Sequence, residues 1–385
     1  MHRVGILLCL AATIPCPSQT DDGSVPASSN VLNAQYPRIH PDLRVTFRVN
    51  APAAQKVQVT PTGGANGLGK GPFDMQKDEK GMWTVTIPPA EPGFHYYNLI
   101  IDGFAANDPC SETYFGWARQ NSGIEIPDKS FDFYDLKDVP HGDVRMHWYR
   151  SKVTGAWRRA FVYVPPGYDL DARKRYPVLY LQHGSGESER GWTAQGRANF
   201  ILDNLIAAGR ATPMIVVMDH GYATKTGAPE PPAPGGGPGR GNSAFPQMVI
   251  EDLVPEIDRG FRTIANRENR AIAGLSMGAG QAMQIGFSNL EKFAYIGSFS
   301  GGMRNFDPKT SFGGAFSDPS VFNKKVKLFW IGSGAEDNFY AGAKDIHKKL
   351  EETGIRSVWF ECPGGHEWQA WRKSLHDFAP RLFRN

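Results

Sequence analysis

A serine, a carboxylate and a histidine, placed in that order along a chain, can turn an inert hydroxyl into a nucleophile. Ser276 lies in Gly274-Leu275-Ser276-Met277-Gly278, with the apolar run Ala271-Ile272-Ala273 before it and helix-compatible residues after it. This is the strand, sharp turn and helix order of a nucleophile elbow, where the flanking glycines let strand and helix close on each other. Such pentapeptides also occur in ordinary strand-to-helix loops, so the partners decide. The serine hydroxyl needs an imidazole to take its proton and a carboxylate to orient that imidazole. An apolar strand over 326–331 runs into Gly332-Ser333-Gly334-Ala335-Glu336-Asp337, which offers Asp337 as the acid, with Glu336 as its rival. A second strand over 358–361 runs into Cys362-Pro363-Gly364-Gly365-His366-Glu367-Trp368, which offers His366 as the base. His220, His347 and His376 fall outside these slots and read as structural or surface residues. A tetrahedral intermediate also needs amide donors for its oxyanion. The Met277 amide is one expected donor and the Ser185 amide, in His183-Gly184-Ser185-Gly186, is the other. His183 reads as a brace for that turn.

These residues require a scaffold that ends several strands at one edge. Residues 151–385 supply near-continuous apolar strands alternating with amphipathic helices, the pattern of a mostly parallel sheet covered on both faces. A helix is expected over 247–259, delivering the chain to the elbow strand. Residues 227–241 are a Pro/Gly-rich insertion that can pack no core, placed near the site as a loop or as an inert surface excursion. Ahead of this lie a connector over 129–150 and an alternating, turn-punctuated stretch over 38–128, which reads as a small antiparallel β-sandwich. Trp83 and Trp117 are candidate sugar-stacking platforms in it, although Trp83 suits the core better. Residues 20–37 read as a disordered linker.

Composition excludes other business. The 42 Lys+Arg against 39 Asp+Glu leave a formal net charge of +3, too close to balance for a nucleic-acid-binding protein. Residues 1–19 resemble a secretory signal peptide, too short for a membrane span, which implies a secreted or periplasmic protein. Cys110 and Cys362 then read as two unpaired buried thiols, with a disulfide between them as the alternative, and neither cysteines nor histidines show metal-ligand spacing, so no metal and no cofactor are expected.

The run Leu179 to Trp192, LYLQHGSGESERGW, together with Gly196-Arg197, Ala273-Gly274-Leu275-Ser276-Met277-Gly278 and His366-Glu367-Trp368, resembles the family-1 carbohydrate esterases, in particular their bacterial feruloyl (cinnamoyl) esterases. The 38–128 stretch is similar to the immunoglobulin-like early-set domains of family-48 carbohydrate-binding modules. The resemblance implies an α/β-hydrolase catalytic domain preceded by an immunoglobulin-like sandwich. It also implies a metal-free serine esterase using Ser276, Asp337 and His366, with registration favouring Asp337 over Glu336. The implied partner is plant cell-wall polysaccharide, feruloylated arabinoxylan or its oligosaccharides, and Gln281 and Trp368 are expected to line the acyl or sugar pocket. Acetyl-xylan and siderophore-ester hydrolysis, and a catalytically silent glycan-binding protein, are the alternatives.

Overall fold

The computed structural model describes residues 22–63, 67–227, 244–303 and 305–384. The expected signal segment and all but the first residue of the 227–241 insertion lie outside them. Among the described residues, the second half of the chain forms an eight-stranded sheet in the order Asp143–Arg150, Trp157–Val164, Ile215–Asp219, Val178–Gln182, Arg270–Leu275, Tyr295–Phe299, Leu328–Gly334, Val358–Cys362. The first three strands pair antiparallel and the rest run parallel.

Strand periodicity explains how both faces are covered. Tyr180, Val217, Ile272, Ile296, Phe329 and Ile331 point to one side and pack on Phe245, Leu253, Met283, Ile285, Ile346 and Leu350 of the helical segments there. Leu179, Leu181, Val216, Ala271, Ala273 and Phe299 point to the other side, against Ile201, Leu202, Leu205, Leu375 and Phe378. Each central strand is therefore apolar throughout, as a doubly covered sheet demands. The helix expected over 247–259 begins at Phe245 and runs to Gly260, with a π-helical stretch, Val249–Leu253, in its middle. That stretch ends two residues before Pro255, whose ring and missing N–H do not fit a regular helix interior.

Two expected boundaries shift. Asp143–Arg150, assigned to the connector, is the edge strand of the large sheet, paired in full register with Trp157–Val164. Its alternation is hard to read because Met146 and Trp148 stand exposed. The stretch 20–37, expected as a disordered linker, carries from residue 22 onward the strand Val25–Pro26 paired with Arg38–Ile39, and it buries Ala27. Short polar and small residues hid a strand held by main-chain bonds.

The first part of the chain makes two antiparallel sheets around a shared core of Val45, Phe47, Trp83, Val57, Val59, Tyr97, Leu99 and Ile124. Trp83 is 6% exposed and donates its indole N–H to the Ala51 carbonyl, so it is core and offers no platform. Trp117, at the tip of the hairpin formed by Thr113–Gly116 and Arg119–Ile126, is 51% exposed. The strand Gly93–Ile101 is buried on both sides: Tyr97 and Leu99 enter the sandwich core, while Phe94 and Tyr96 join the apolar layer of the large sheet. Arg372, fully buried, spans the same boundary with a two-pronged ion pair to Glu125 at 2.7 and 3.0 Å. Cys110 and Cys362 are both free.

Candidate active site

Strand Arg270–Leu275 ends at Ser276, and helix Met277–Ser288 begins at the next residue. Ser276 holds φ 53° and ψ −113°, a conformation a side-chain-bearing residue adopts at a cost of order 1–3 kcal/mol. The glycines make it attainable. A Cβ on Gly274 would stand 2.5 Å from the Gly278 carbonyl, and one on Gly278 would stand 2.5 Å from the His183 carbonyl. The Ser276 amide is anchored to the Phe299 carbonyl at 2.9 Å. The hydroxyl thus stands on a rigid, partly open turn at the carboxyl edge of the sheet.

Two strands further along the sheet, Leu328–Gly334 ends ahead of Asp337, and the next strand, Val358–Cys362, ends ahead of His366. His366 Nδ1 lies 2.9 and 3.1 Å from the two Asp337 carboxyl oxygens. Asp337 is buried and also accepts the Phe339 amide at 2.8 Å. Burial pushes this carboxyl up, but the hydrogen bond and charge of His366, with the Phe339 amide, outweigh it and hold the group below the ordinary aspartate value. Glu336 faces elsewhere: its exposed carboxylate accepts the Gly364 amide at 2.5 Å and pins the loop that carries His366. The imidazole is sandwiched by Phe339 and Trp371, each ring 5.0 Å away.

The loop 183–187 runs beside the elbow, close enough that a Cβ on Gly184 would meet the Ser276 Cβ at 3.3 Å. Met277 opens the helix, so its amide has no acceptor within the helix and is free to meet an oxyanion. His183 is fully enclosed. It donates Nδ1–H to the Gly184 carbonyl at 2.8 Å and accepts the Gly221 amide on Nε2 at 2.8 Å, which fixes one neutral tautomer. Burial lowers its pKa to about 4, in keeping with a brace. Sequence reasoning missed Tyr222, whose hydroxyl accepts the Gly186 amide at 2.7 Å and donates toward Ser185 Oγ at 3.3 Å. Its only sequence signal was a place just past a strand end.

Of the two expected pocket residues, Gln281 stays half-buried next to Met277 and Trp368 is enclosed. Gln281 donates to the Gly221 carbonyl at 2.8 Å and so ties the elbow helix to the 220–222 turn. Trp368 is 2% exposed, packed edge-on against Trp192 and Trp371, and its indole donates to Tyr96 Oη at 3.2 Å. An indole enclosed in this way cannot stack on a sugar; the sequence showed its neighbourhood to His366 but not the β-sheets that cover it. Among the described residues no three His, Cys, Asp or Glu side chains gather to hold a metal ion, and no helix is long and apolar enough to cross a membrane.

Comparison with known proteins places the chain among the esterases. The Esterase family model matches residues 151–382. An endo-1,4-beta-xylanase/feruloyl esterase of Xylanibacter ruminicola is 39% identical over 373 residues, 94% of this chain and 47% of that relative. The chain thus spans about half the length of that curated relative. A ferulic acid esterase of Anaeromyces mucronatus, solved with ferulic acid, superposes with a TM-score of 0.54 at 27% identity, over 67% of this chain and 96% of that one. The enterobactin esterase of Shigella flexneri, at 18% identity, shares the fold over 88% of this chain and 93% of its own, with a TM-score of 0.62.

Proposed function

The chain belongs to the Esterase family of carboxylic ester hydrolases, and from that premise we propose that it is a serine esterase cleaving feruloyl and related hydroxycinnamoyl esters from plant xylan. The observation that carries the substrate class is the relative that matches 94% of the chain and whose name joins xylanase to feruloyl esterase activity. The mechanism rests on the strained Ser276 elbow and the Asp337–His366 pair.

In this reading His366 Nε2 takes the Ser276 proton as Oγ attacks the ester carbonyl. Asp337 holds Nδ1–H and stabilises the imidazolium that forms. The Met277 and Ser185 amides receive the oxyanion, worth about 3–4 kcal/mol per donor in comparable sites. Collapse of the intermediate expels the sugar alcohol, which takes its proton from His366. Water, deprotonated by the same imidazole, then releases the hydroxycinnamate and restores Ser276.

The test is a panel of methyl ferulate, an aryl acetate, acetylated xylan and a catecholate siderophore ester, run with wild type beside Ser276→Ala. Methyl ferulate should be hydrolysed fastest and only by wild type. A preference for acetyl groups or for the siderophore ester would move the substrate assignment within the esterases. The protein is further proposed to be exported, on the character of residues 1–19, and the two N-terminal sheets to form an immunoglobulin-like module with at most weak affinity for xylan. Strong retardation of Ser276→Ala by xylan in affinity electrophoresis, abolished by Trp117→Ala, would contradict that last point.

A further inference from the structure

The loop that carries Ser185 is held from outside its own domain. Ala118, at the tip of the hairpin beside Trp117, donates its amide to the Gly186 carbonyl at 2.9 Å. The approach is so close that a Cβ on Gly186, at φ +76°, would stand 2.8 Å from that amide nitrogen. One residue on, the buried Glu187 carboxyl lies 3.1 and 3.2 Å from Tyr96 Oη, which comes from strand Gly93–Ile101 of the N-terminal sheets. The same hydroxyl accepts Gln195 Nε2 at 2.6 Å and Trp368 Nε1 at 3.2 Å. Gln195 also reaches Glu187 at 3.3 Å and the Phe115 carbonyl at 3.0 Å. A Cβ on Gly116 would strike Tyr96 Oη at 2.3 Å, so that glycine clears room for the cluster.

Glu187 stands two residues after Ser185, and Trp368 stands two residues after His366. We infer that Tyr96 is a positioning residue of the ester-cleaving site: its hydroxyl ties the oxyanion loop to the loop of the histidine base, which makes the N-terminal sheets a working part of the active site. This rests on the serine-esterase reading above. Enclosure pushes the Glu187 carboxyl well above the ordinary glutamate range, which disfavours a negative charge behind the oxyanion donors. A hydrogen-bonded network of this kind sets the position of the Ser185 amide, which meets the negative charge developing on the substrate's carbonyl oxygen.

Full-length wild type, Ser276→Ala, Tyr96→Phe, Glu187→Leu, Glu187→Gln and Glu125→Gln should be compared on methyl ferulate, a substrate too small to need any glycan surface. Tyr96→Phe is expected to lose about tenfold in kcat with KM held within about twofold, the signature of a displaced transition-state contact. Glu187→Leu should lose as much, while Glu187→Gln, which keeps an acceptor for the Tyr96 O–H, should lose clearly less. Glu125→Gln weakens the same domain boundary through Arg372 without removing any group that bonds the Tyr96 hydroxyl or the Glu187 carboxyl, so it should lower the melting midpoint without the tenfold fall in kcat. Wild-type kcat in Tyr96→Phe, or an equal fall in Glu125→Gln, would overturn the inference. Equal rates for wild type and Ser276→Ala would instead overturn the serine-esterase reading, and with it anything left to position.

Discussion

The choice between Glu336 and Asp337 turns on which of two neighbouring side chains meets the imidazole. Two adjacent carboxylates follow the same strand, yet one is buried against His366 Nδ1 and the other is exposed on the Gly364 amide. Asp337→Asn should therefore cost about four orders of magnitude in kcat with the fold intact, because an amide facing Nδ1 stabilises the wrong tautomer. Glu336→Gln should keep most of the rate, with circular dichroism as the control for folding. Gly278→Ala makes a complementary statement about the elbow: the added methyl must displace the His183 carbonyl, so hydrolysis of methyl ferulate should fall sharply while hydrophobic burial barely changes. Ser276, His366 and the elbow glycines could be read from residue type and spacing, since the chemistry fixes both. Tyr222, Glu187 and Tyr96 could not. Each acts through an atom brought from a distant part of the chain, and nothing local in the sequence marks what it touches.

At the scale of elements, the segment from His366 into helix Trp368–Phe378 carries the base and also docks the N-terminal sheets. Glu367, between them, is largely enclosed by this contact: burial first, and then the charge of Glu91, push its carboxyl up to about 7. An acid whose folded pKa is raised binds its proton more tightly when folded, so this contribution is present below the unfolded value near 4.5 and is lost as pH rises toward 7. Glu367→Gln should consequently raise the melting midpoint at pH 8 and leave it little changed at pH 4, as scanning calorimetry at the two pH values would read. The central parallel strands Val178–Gln182, Ile215–Asp219 and Arg270–Leu275 were legible because both of their faces are buried and their sequences are mostly apolar, whereas Tyr295–Phe299 was not read in advance. Asp143–Arg150 was not, because an edge strand with exposed Met146 and Trp148 lacks that signature. Val25–Pro26 was missed for a different reason: its pairing is made by main-chain groups that any sequence supplies.

Across the whole molecule, the boundary between the N-terminal sheets and the hydrolase sheet is a buried surface rather than a flexible joint. Phe94 and Tyr96 share an apolar cluster with Trp368 and Trp371, and Arg372 pairs with Glu125 inside it. Replacing Arg372 by Leu leaves the Glu125 carboxylate with only the longer Arg197 contact, at 3.4 Å, and strips the Gln195 carbonyl of its guanidinium donors. That should destabilise the fold by about 3–5 kcal/mol in urea unfolding, with both parts still unfolding in one transition. The domain pattern was visible in the sequence as alternation giving way to apolar blocks, whereas Trp368 showed only its adjacency to the base and nothing of the sheet that encloses it. The central claim is that this architecture exists to make Ser276 attack an ester. It is tested most directly by kcat/KM on methyl ferulate for purified wild type and Ser276→Ala: the account predicts measurable turnover by the first and a loss of about six orders of magnitude, to the assay floor, in the second, and equal rates for the two would contradict it.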